Sequence, residues 1–304
     1  MAWDGIRYSI IIPCYNASKF IQRPVDSVLS QTRDDYEVII VDDGSTDNTP
    51  GIIESYVSRR TNWIRFLRQK NKGPAAARNA GIQSAKGEYL YFLDADDKMC
   101  KDALEIFDNA IEDEALDYVY AGHYSVKIGG KLKTLCPEPG FVDPVSDFKR
   151  LIAGKGVSPT LGTVLIHRDC FKSLSYSESL RCNEDFVLFA HLFALYQGKA
   201  IATPVVYKYK RPDSLRSESQ AIIDAVEKAP GLLFDPAVLP AEYFRFKSIY
   251  VAKRYLEKAR IHFKQKQFKA FRETFQQAAR VHPWVLLKGR FLLRYLRSFF
   301  KKTA

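Results

Sequence analysis

Tyr89-Leu90-Tyr91-Phe92-Leu93-Asp94-Ala95-Asp96-Asp97 is a run of five apolar side chains that ends in three carboxylates over four positions. The run is the length of a strand, and its unbroken apolarity marks one buried on both faces, as in parallel sheets. Val38-Ile39-Ile40-Val41-Asp42-Asp43-Gly44-Ser45 has the same form, apolar and then acidic. In a parallel sheet the two acidic ends come out on one edge, where open α/β folds bind ligands.

Working outward, short apolar runs predict strands over residues 8–13, 37–41, 64–67, 89–93 and 118–124. Helical patterns fill the gaps over 17–31, 48–59 and 74–85, the last opened by Pro74 in its first turn. This alternation is the βαβ signature of an α/β, Rossmann-like domain with a mostly parallel central sheet and flanking helices. Gly129-Gly130 signals a hairpin. Pro230, Pro236 and Pro240 interrupt any long element and set a boundary near 220–240. The expected units are a catalytic domain over residues 1–220 and a helical C-terminal extension over 221–304.

The 304 residues are 46% hydrophobic and 27% charged, values of a globular chain rather than a disordered one. The net charge of +11 is confined to the end: residues 242–304 hold 17 Lys and Arg against 3 Asp and Glu. Everything before them is slightly acidic. Five scattered cysteines without a CxxC pair support neither a zinc site nor a disulfide framework. The first residues lack a charged and then apolar leader, which gives the expectation of a cytoplasmic protein with reduced thiols. No apolar run approaches the ~20 residues of a membrane-spanning helix.

Asp94 and Asp96 stand two apart, so in extended chain they face one ligand together. Paired carboxylates are costly unless a cation shares their charge, and a hard ion such as Mg²⁺ or Mn²⁺ bridged to phosphates suits them. Acidic residues after strands also serve as helix caps, the simpler role for Asp47 or Asp97 alone. Residues 71–81, Asn-Lys-Gly-Pro-Ala-Ala-Ala-Arg-Asn-Ala-Gly, place amides at a helix start where phosphate is attracted. They fit neither the Walker spacing nor the dinucleotide fingerprint. Glu184-Asp185 before an apolar helix reads equally as an N-terminal capping pair.

Ser9-Ile10-Ile11-Ile12-Pro13-Cys14-Tyr15-Asn16, then Val41 to Asp47, residues 71–81 and Phe92 to Asp97 resemble, in order and spacing, the family 2 inverting glycosyltransferases of the GT-A fold. The resemblance covers about residues 8–215 and is of the bacterial cell-surface glycan type. It implies a uridine-binding wall from Pro13, Tyr15, Asp42 and Asp43, leaving open which of the two carboxylates meets the base. Gly73 and Arg78 match the nucleotide-contacting loop. Asp94 and Asp96 match the DxD pair, with Asp96 as metal ligand for Mn²⁺ or Mg²⁺ and Asp94 near the ribose. Asp185 matches the general base. Lys208, Lys210 or Arg211, within residues 207–214, would neutralise the diphosphate of a UDP-sugar.

The same resemblance implies transfer of one hexose or N-acetylhexosamine to a hydroxyl of a glycan or lipid-linked acceptor. No Q-x-x-R-W segment is present, so a processive synthase is not expected. Residues 162–168 carry no tryptophan and leave the acceptor open, and His123 and His167 are expected to be packing or surface residues. Two rivals remain: a catalytically silent nucleotide-sugar-binding or membrane adaptor protein of the same fold, and a two-carboxylate glycoside hydrolase.

In the tail, residues 284–302, Arg290, Arg294, Arg297 and Lys301 form one helical stripe opposite Phe291, Leu292, Tyr295, Leu296, Phe299 and Phe300. Such a helix suits the anionic inner face of a membrane, although it could equally pack on the domain. A peripheral location there is the expectation. Residues 242–280 read as two amphipathic helices in a hairpin, packed under the tail or against a second copy in a homodimer. No nucleic-acid motif accompanies the charge.

Overall fold

The computed structural model of the chain describes residues 5–59, 63–111, 116–211, 219–287 and 289–299. Its first half alternates β1 (Tyr8–Cys14), α1 (Gln22–Leu29), β2 (Tyr36–Asp42), α2 (Thr49–Arg59), β3 (Ile64–Arg68), α3 (Pro74–Ser84) and β4 (Tyr89–Phe92). A less regular stretch follows, with β5 (Lys98–Met99), α4 (Ala103–Ile111), β6 (Tyr118–Val126), β7 (Leu132–Leu135), β8 (Gly140–Phe141), α5 (Pro144–Ala153) and β9 (Val164–His167). After α6 (Glu184–Leu195) and β10 (Gly198–Tyr209) the chain is helical: α7 (Ser219–Leu233), α8 (Lys247–Lys264), α9 (Phe268–Val281) and α10 (Gly289–Ser298).

The sheet runs β3-β2-β1-β4-β9-β6-β10-β5. β3, β2, β1 and β4 are parallel neighbours, β9 runs against both β4 and β6, and β10 is parallel to β6. Every residue of β1 and β2 is buried, and the polar Ser9 and Glu37 among them hydrogen-bond to each other at 2.7 Å. Successive side chains go to opposite faces. Ile11, Ile39, Val41, Leu90 and Phe92 join the core under α3, α5, α6 and α7. Ile10, Ile12, Val38, Ile40 and Tyr91 join the other, under α1 and α4. Burying each such side chain stabilises the fold by about 1.5–3 kcal/mol. α3 lies close on β1 because its residues are small: a Cβ at Gly81 would stand 2.4 Å from the Ile11 side chain.

Three local expectations are corrected. The first helix is shorter than 17–31, because Asn16, Ala17 and Ser18 give their backbone N–H groups to Ser45, Thr49 and Asp47 and form a turn instead. Pro230 does not interrupt a long element but lies inside α7. The cost of an internal proline, ~3 kcal/mol, is outweighed by burial of Ala221, Ala225, Ala229 and Leu233 in the main core. Asp97 caps no helix; it precedes β5, and its carboxylate is used elsewhere in the site.

The residue 220 boundary falls within one packed body, since α7 and Phe246 and Tyr250 at the start of α8 belong to the same core as α6. A separate small core of Ala252, Leu256, Phe275, Ala278 and Val285 unites α8, α9 and the turn at Pro283–Leu287. α10 lays Phe291 and Tyr295 on it. No helix among the described residues is long and apolar enough to cross a membrane.

Candidate active site

The carboxyl ends of β1, β2 and β4 meet at one edge of the sheet. At the end of β1, Pro13 is buried and Tyr15 turns out to solvent, 50% exposed. The Asp42 side chain, wholly buried, accepts from Ser45 N at 3.1 Å and pairs with Arg68 Nε at 3.1 Å. Asp43 accepts from Gln69 Nε2 at 2.8 Å, Lys72 N at 2.9 Å and Gly73 N at 2.8 Å. Asp43 thus fastens the loop that leads into α3, by charge-assisted bonds of about 1.5–3 kcal/mol each. The fastening needs Gly44, at φ +77°, because a Cβ there would stand 2.9 Å from Asn71 N.

Gly73, at φ +96°, turns the chain into α3, and Pro74 takes a position where its missing N–H costs nothing. One turn on, Arg78 is buried and spans two carboxylates: its Nη1 donates to Glu184 Oε1 at 2.6 Å and its Nη2 lies 3.5 Å from Asp94 Oδ1. Its guanidinium sits 5.3 Å from the Tyr176 ring centre. Asn79 beside it holds the Tyr176 backbone at both ends, Nδ2 donating to the carbonyl at 2.9 Å and Oδ1 accepting from the N–H at 3.0 Å. Burial pushes the Glu184 carboxyl up, and Arg78 pulls it back.

After β4, the side chains of Asp94 and Asp96 are 29% and 24% exposed. Burial first, then the Asp94 charge, pushes the Asp96 carboxyl up, and Arg211 and Lys208 oppose the shift. Arg211 Nε stands 2.8 Å from Asp96 Oδ2, at an angle too poor for a hydrogen bond. Asp97 accepts from Lys208 Nζ at 2.6 Å and from Tyr209 N at 3.0 Å, so it pins the end of β10 beneath the turn. Burial pushes its carboxyl up to about 6 against the pull of Lys208. Lys208 also donates to Leu161 O at 2.9 Å and reaches Asp94 Oδ2 at 3.4 Å.

Asp185 opens α6 next to Glu184, partly exposed, with its Oδ1 accepting from Phe186 N at 2.8 Å. Lys210 is exposed, and residues 212–214 of the expected diphosphate segment lie outside the described residues, as do Phe300, Lys301 and residue 302 of the tail. Residues 162–168 contain the whole of β9, a strand between β4 and β6. His167 leans edge-on against Tyr89 at 5.2 Å.

The structure therefore joins Arg78, Asp94, Glu184 and Lys208 through side-chain contacts, pairs Asp96 with Arg211 beside them, and holds Asp43 with Gly73 in a further group at the start of α3. Tyr15 and Asp185 lie on the elements beside them. Sequence reasoning missed Asn79, Tyr176 and Asp97 as parts of this corner. Asn79 lies within the motif of residues 71–81, but no spacing rule connects it to residue 176.

Among the described residues no three His, Cys, Asp or Glu side chains converge to hold a metal alone. One or two hard carboxylates with open coordination are nevertheless the donor set that Mg²⁺ takes when substrate phosphates complete its shell. Asp96, a quarter exposed beside Asp94, fits it.

Residues 9–173 match the model of Glycosyl transferase family 2. An uncharacterized glycosyltransferase of Rickettsia felis is 33% identical over 184 residues, 60% of this chain and 29% of its own length. The minor teichoic acid biosynthesis protein GgaA of Bacillus subtilis is 29% identical over 230 residues, 71% of this chain and 49% of its own. The chain thus spans less than half the length of both relatives. Among solved structures, S. aureus TarS 1-349 in complex with UDP-GlcNAc superposes with a TM-score of 0.68 at 21% identity, over 96% of this chain and 89% of that one. The mannosyltransferase PcManGT of Pyrobaculum calidifontis, in complex with GDP-Man and Mn²⁺, gives 0.58 at 17% identity, over 97% and 84%. At these identities the structural likeness speaks for the fold, and the family model speaks for the sequence. The chain belongs to glycosyltransferase family 2 and carries its GT-A fold.

Proposed function

We propose that the chain is an inverting, metal-dependent glycosyltransferase that moves one hexose or N-acetylhexosamine from a UDP-sugar to a hydroxyl of a glycan or lipid-linked acceptor, in the synthesis of cell-surface polysaccharide. The observation that carries this reading is the Arg78 guanidinium held between Asp94 and Glu184. It ties Asp94, the carboxylate read as lying near the ribose, to the Glu-Asp pair of α6, so that the donor side and the base Asp185 belong to one corner. UDP-GlcNAc and UDP in complexes of the similarly folded TarS support the choice of donor nucleotide.

Asp185 accepts the proton of the acceptor hydroxyl as that oxygen forms its bond to the anomeric carbon and the bond to the diphosphate oxygen breaks. Displacement in one step inverts the centre, giving a β-linkage from an α-linked donor. Tyr15, Asp42 and Asp43 form the wall for the uridine, with Pro13 behind them, and Gly73 opens the helix facing the nucleotide. Lys208 and Arg211 lie where the diphosphate charge develops. Asp96 would hold Mn²⁺ or Mg²⁺, whose contribution when bound is to stabilise the leaving diphosphate.

We place residues 1–220 in the catalytic unit and 221–304 in a helical extension that seats it on the anionic inner face of the membrane. What supports the seat is the outer side of α10: Leu293, Leu296 and Phe299 are more than half exposed beside Arg290 and Arg297. The inner side is spent, with Tyr295 against Phe275 at 5.0 Å and Arg294 over Phe263 at 5.1 Å.

The test is a screen of common nucleotide sugars with Mn²⁺, read by melting temperature and by transfer. At 100 times its Kd the true donor stabilises the native state by about 2.7 kcal/mol. Asp185→Asn should then lower transfer by about 10²- to 10⁴-fold while UDP binding stays as it was. Undiminished transfer by that variant would remove Asp185 from the mechanism.

A further inference from the structure

Around Asp96 two arginines and two aromatic rings form a reciprocal arrangement that the transfer chemistry does not call for. The Arg211 guanidinium stands 4.0 Å from the Phe20 ring centre, and the Arg23 guanidinium 4.0 Å from that of Tyr209. Phe20, in the turn before α1, and Arg23, in its first turn, are three positions apart; Tyr209 ends β10 and Arg211 lies two residues beyond it. Between these pairs lies Asp96. Arg23 Nη1 donates to its main-chain carbonyl at 3.0 Å, and Arg211 Nε stands 2.8 Å from its carboxylate.

We propose that Arg211 holds the cation position on Asp96 in the donor-free protein, so that a divalent ion is admitted there only together with the nucleotide diphosphate. The inference rests on the reading of Asp96 as metal ligand. A divalent ion takes a carboxylate oxygen at about 2.0–2.6 Å. A guanidinium 2.8 Å from one of those oxygens would lie at contact distance from that ion, and the two cations repel. Arg211 makes no directional hydrogen bond to Asp96, so it leaves without breaking one. The face of Phe20 keeps it close by, because a ring face attracts a cation whether or not the carboxylate is engaged.

A diphosphate offers the guanidinium what Asp96 offers poorly, several oxygens matched to its planar fork. When the donor binds, the guanidinium exchanges Asp96 for the diphosphate and the carboxylate is freed for the ion. Metal and donor binding are thereby coupled, and each must favour the other to the same extent.

Mn²⁺ titration followed by electron paramagnetic resonance, with and without UDP, tests this without any turnover. The wild-type chain should bind Mn²⁺ weakly alone and more tightly with UDP. Arg211→Gln should bind Mn²⁺ alone about three- to tenfold more tightly than wild type, and UDP should add less. Phe20→Leu should move affinity in the same direction by a smaller factor. Lys19→Gln, which removes the exposed charge beside Phe20, should change it little.

An equal gain in Lys19→Gln would reduce the effect to overall charge and overturn the proposal. No gain in Arg211→Gln, with UDP still promoting Mn²⁺ binding in every variant, overturns it while leaving Asp96 as a metal ligand. Absence of Mn²⁺ binding by all the proteins, even with UDP, overturns both readings together. Melting temperatures confirm that each variant is folded.

Discussion

Replacing Arg78 with methionine isolates the buried ion pair at the centre of the site. Both side chains of the pair are nearly inaccessible, Arg78 at 6% and Glu184 at 7%, so no solvent screening discounts their interaction. Methionine keeps the volume and removes the charge, leaving Glu184 buried without its partner. Breaking such a pair from one side costs about 3–5 kcal/mol. With a urea slope of about 3 kcal/mol/M, at the upper end for small proteins, that is roughly a 1–1.7 M drop in the unfolding midpoint.

The partner change sharpens the test. Glu184→Gln in the Arg78→Met background removes the stranded charge and should restore at least about 2 kcal/mol, a coupling well outside the ~0.5 kcal/mol of independent sites. The pH dependence has a definite sign. Burial raises the folded-state pKa of Glu184, and loss of Arg78 removes the opposing pull. A carboxyl with a raised folded pKa favours the fold only while protonated, so the deficit of Arg78→Met should grow as pH rises above the ordinary glutamate range of about 4.3. A midpoint within about 0.3 M of wild type, or a double variant no better than Arg78→Met, would refute the account of this pair.

Other consequences are open to direct measurement. Gly44→Ala forces a non-glycine residue to φ +77° with its Cβ 2.9 Å from Asn71 N. It should cost about 1–2 kcal/mol in urea unfolding and weaken UDP binding by displacing the Asp43-held loop; unchanged values would show the loop to be compliant. His191 is buried neutral, its Nε2 donating to Leu233 O at 2.9 Å, and burial lowers its pKa. The unfolded chain then takes up a proton more readily than the folded one, so stability should fall as pH drops below the ordinary histidine value of about 6.5, and His191→Leu should flatten that fall. Leu293→Glu with Leu296→Glu should abolish binding to vesicles containing anionic lipid without lowering the melting temperature. Unaltered binding would reject α10 as the contact.

The strands were legible because their residues are buried on two faces, a condition met by apolar side chains everywhere in β1 and in β2 before Asp42 except at Ser9 and Glu37, which hydrogen-bond to each other at 2.7 Å. The carboxylate edge followed from strand direction alone. What stayed hidden was everything fixed by side-chain reach between distant segments. Asp97 looked like a cap because residues 94–97 read locally, whereas its partners Lys208 and Tyr209 lie more than a hundred positions on. The tail was legible as amphipathic but not in its partition. Phe291 and Tyr295 are chemically as suited to lipid as Leu293 and Phe299, and only the position of α9 decides which of them are covered. Pro230 misled because local propensity was weighed without the alanine face that α7 buries.

The contact between Arg78 and Glu184 joins residues 106 positions apart. On a ribosome adding about 5–20 residues per second, the arginine is made roughly 5 to 20 s before its partner exists. During that interval α3 can settle on β1 through its small residues, but the arginine's place in the core is not yet built. The first half of the sheet can therefore form early, while the catalytic corner is closed only by late arrivals. A chain arrested before α6 would present a structured nucleotide wall whose arginine has Asp94 but lacks its closer partner Glu184, a species for chaperones or proteases to meet before it could meet a sugar nucleotide.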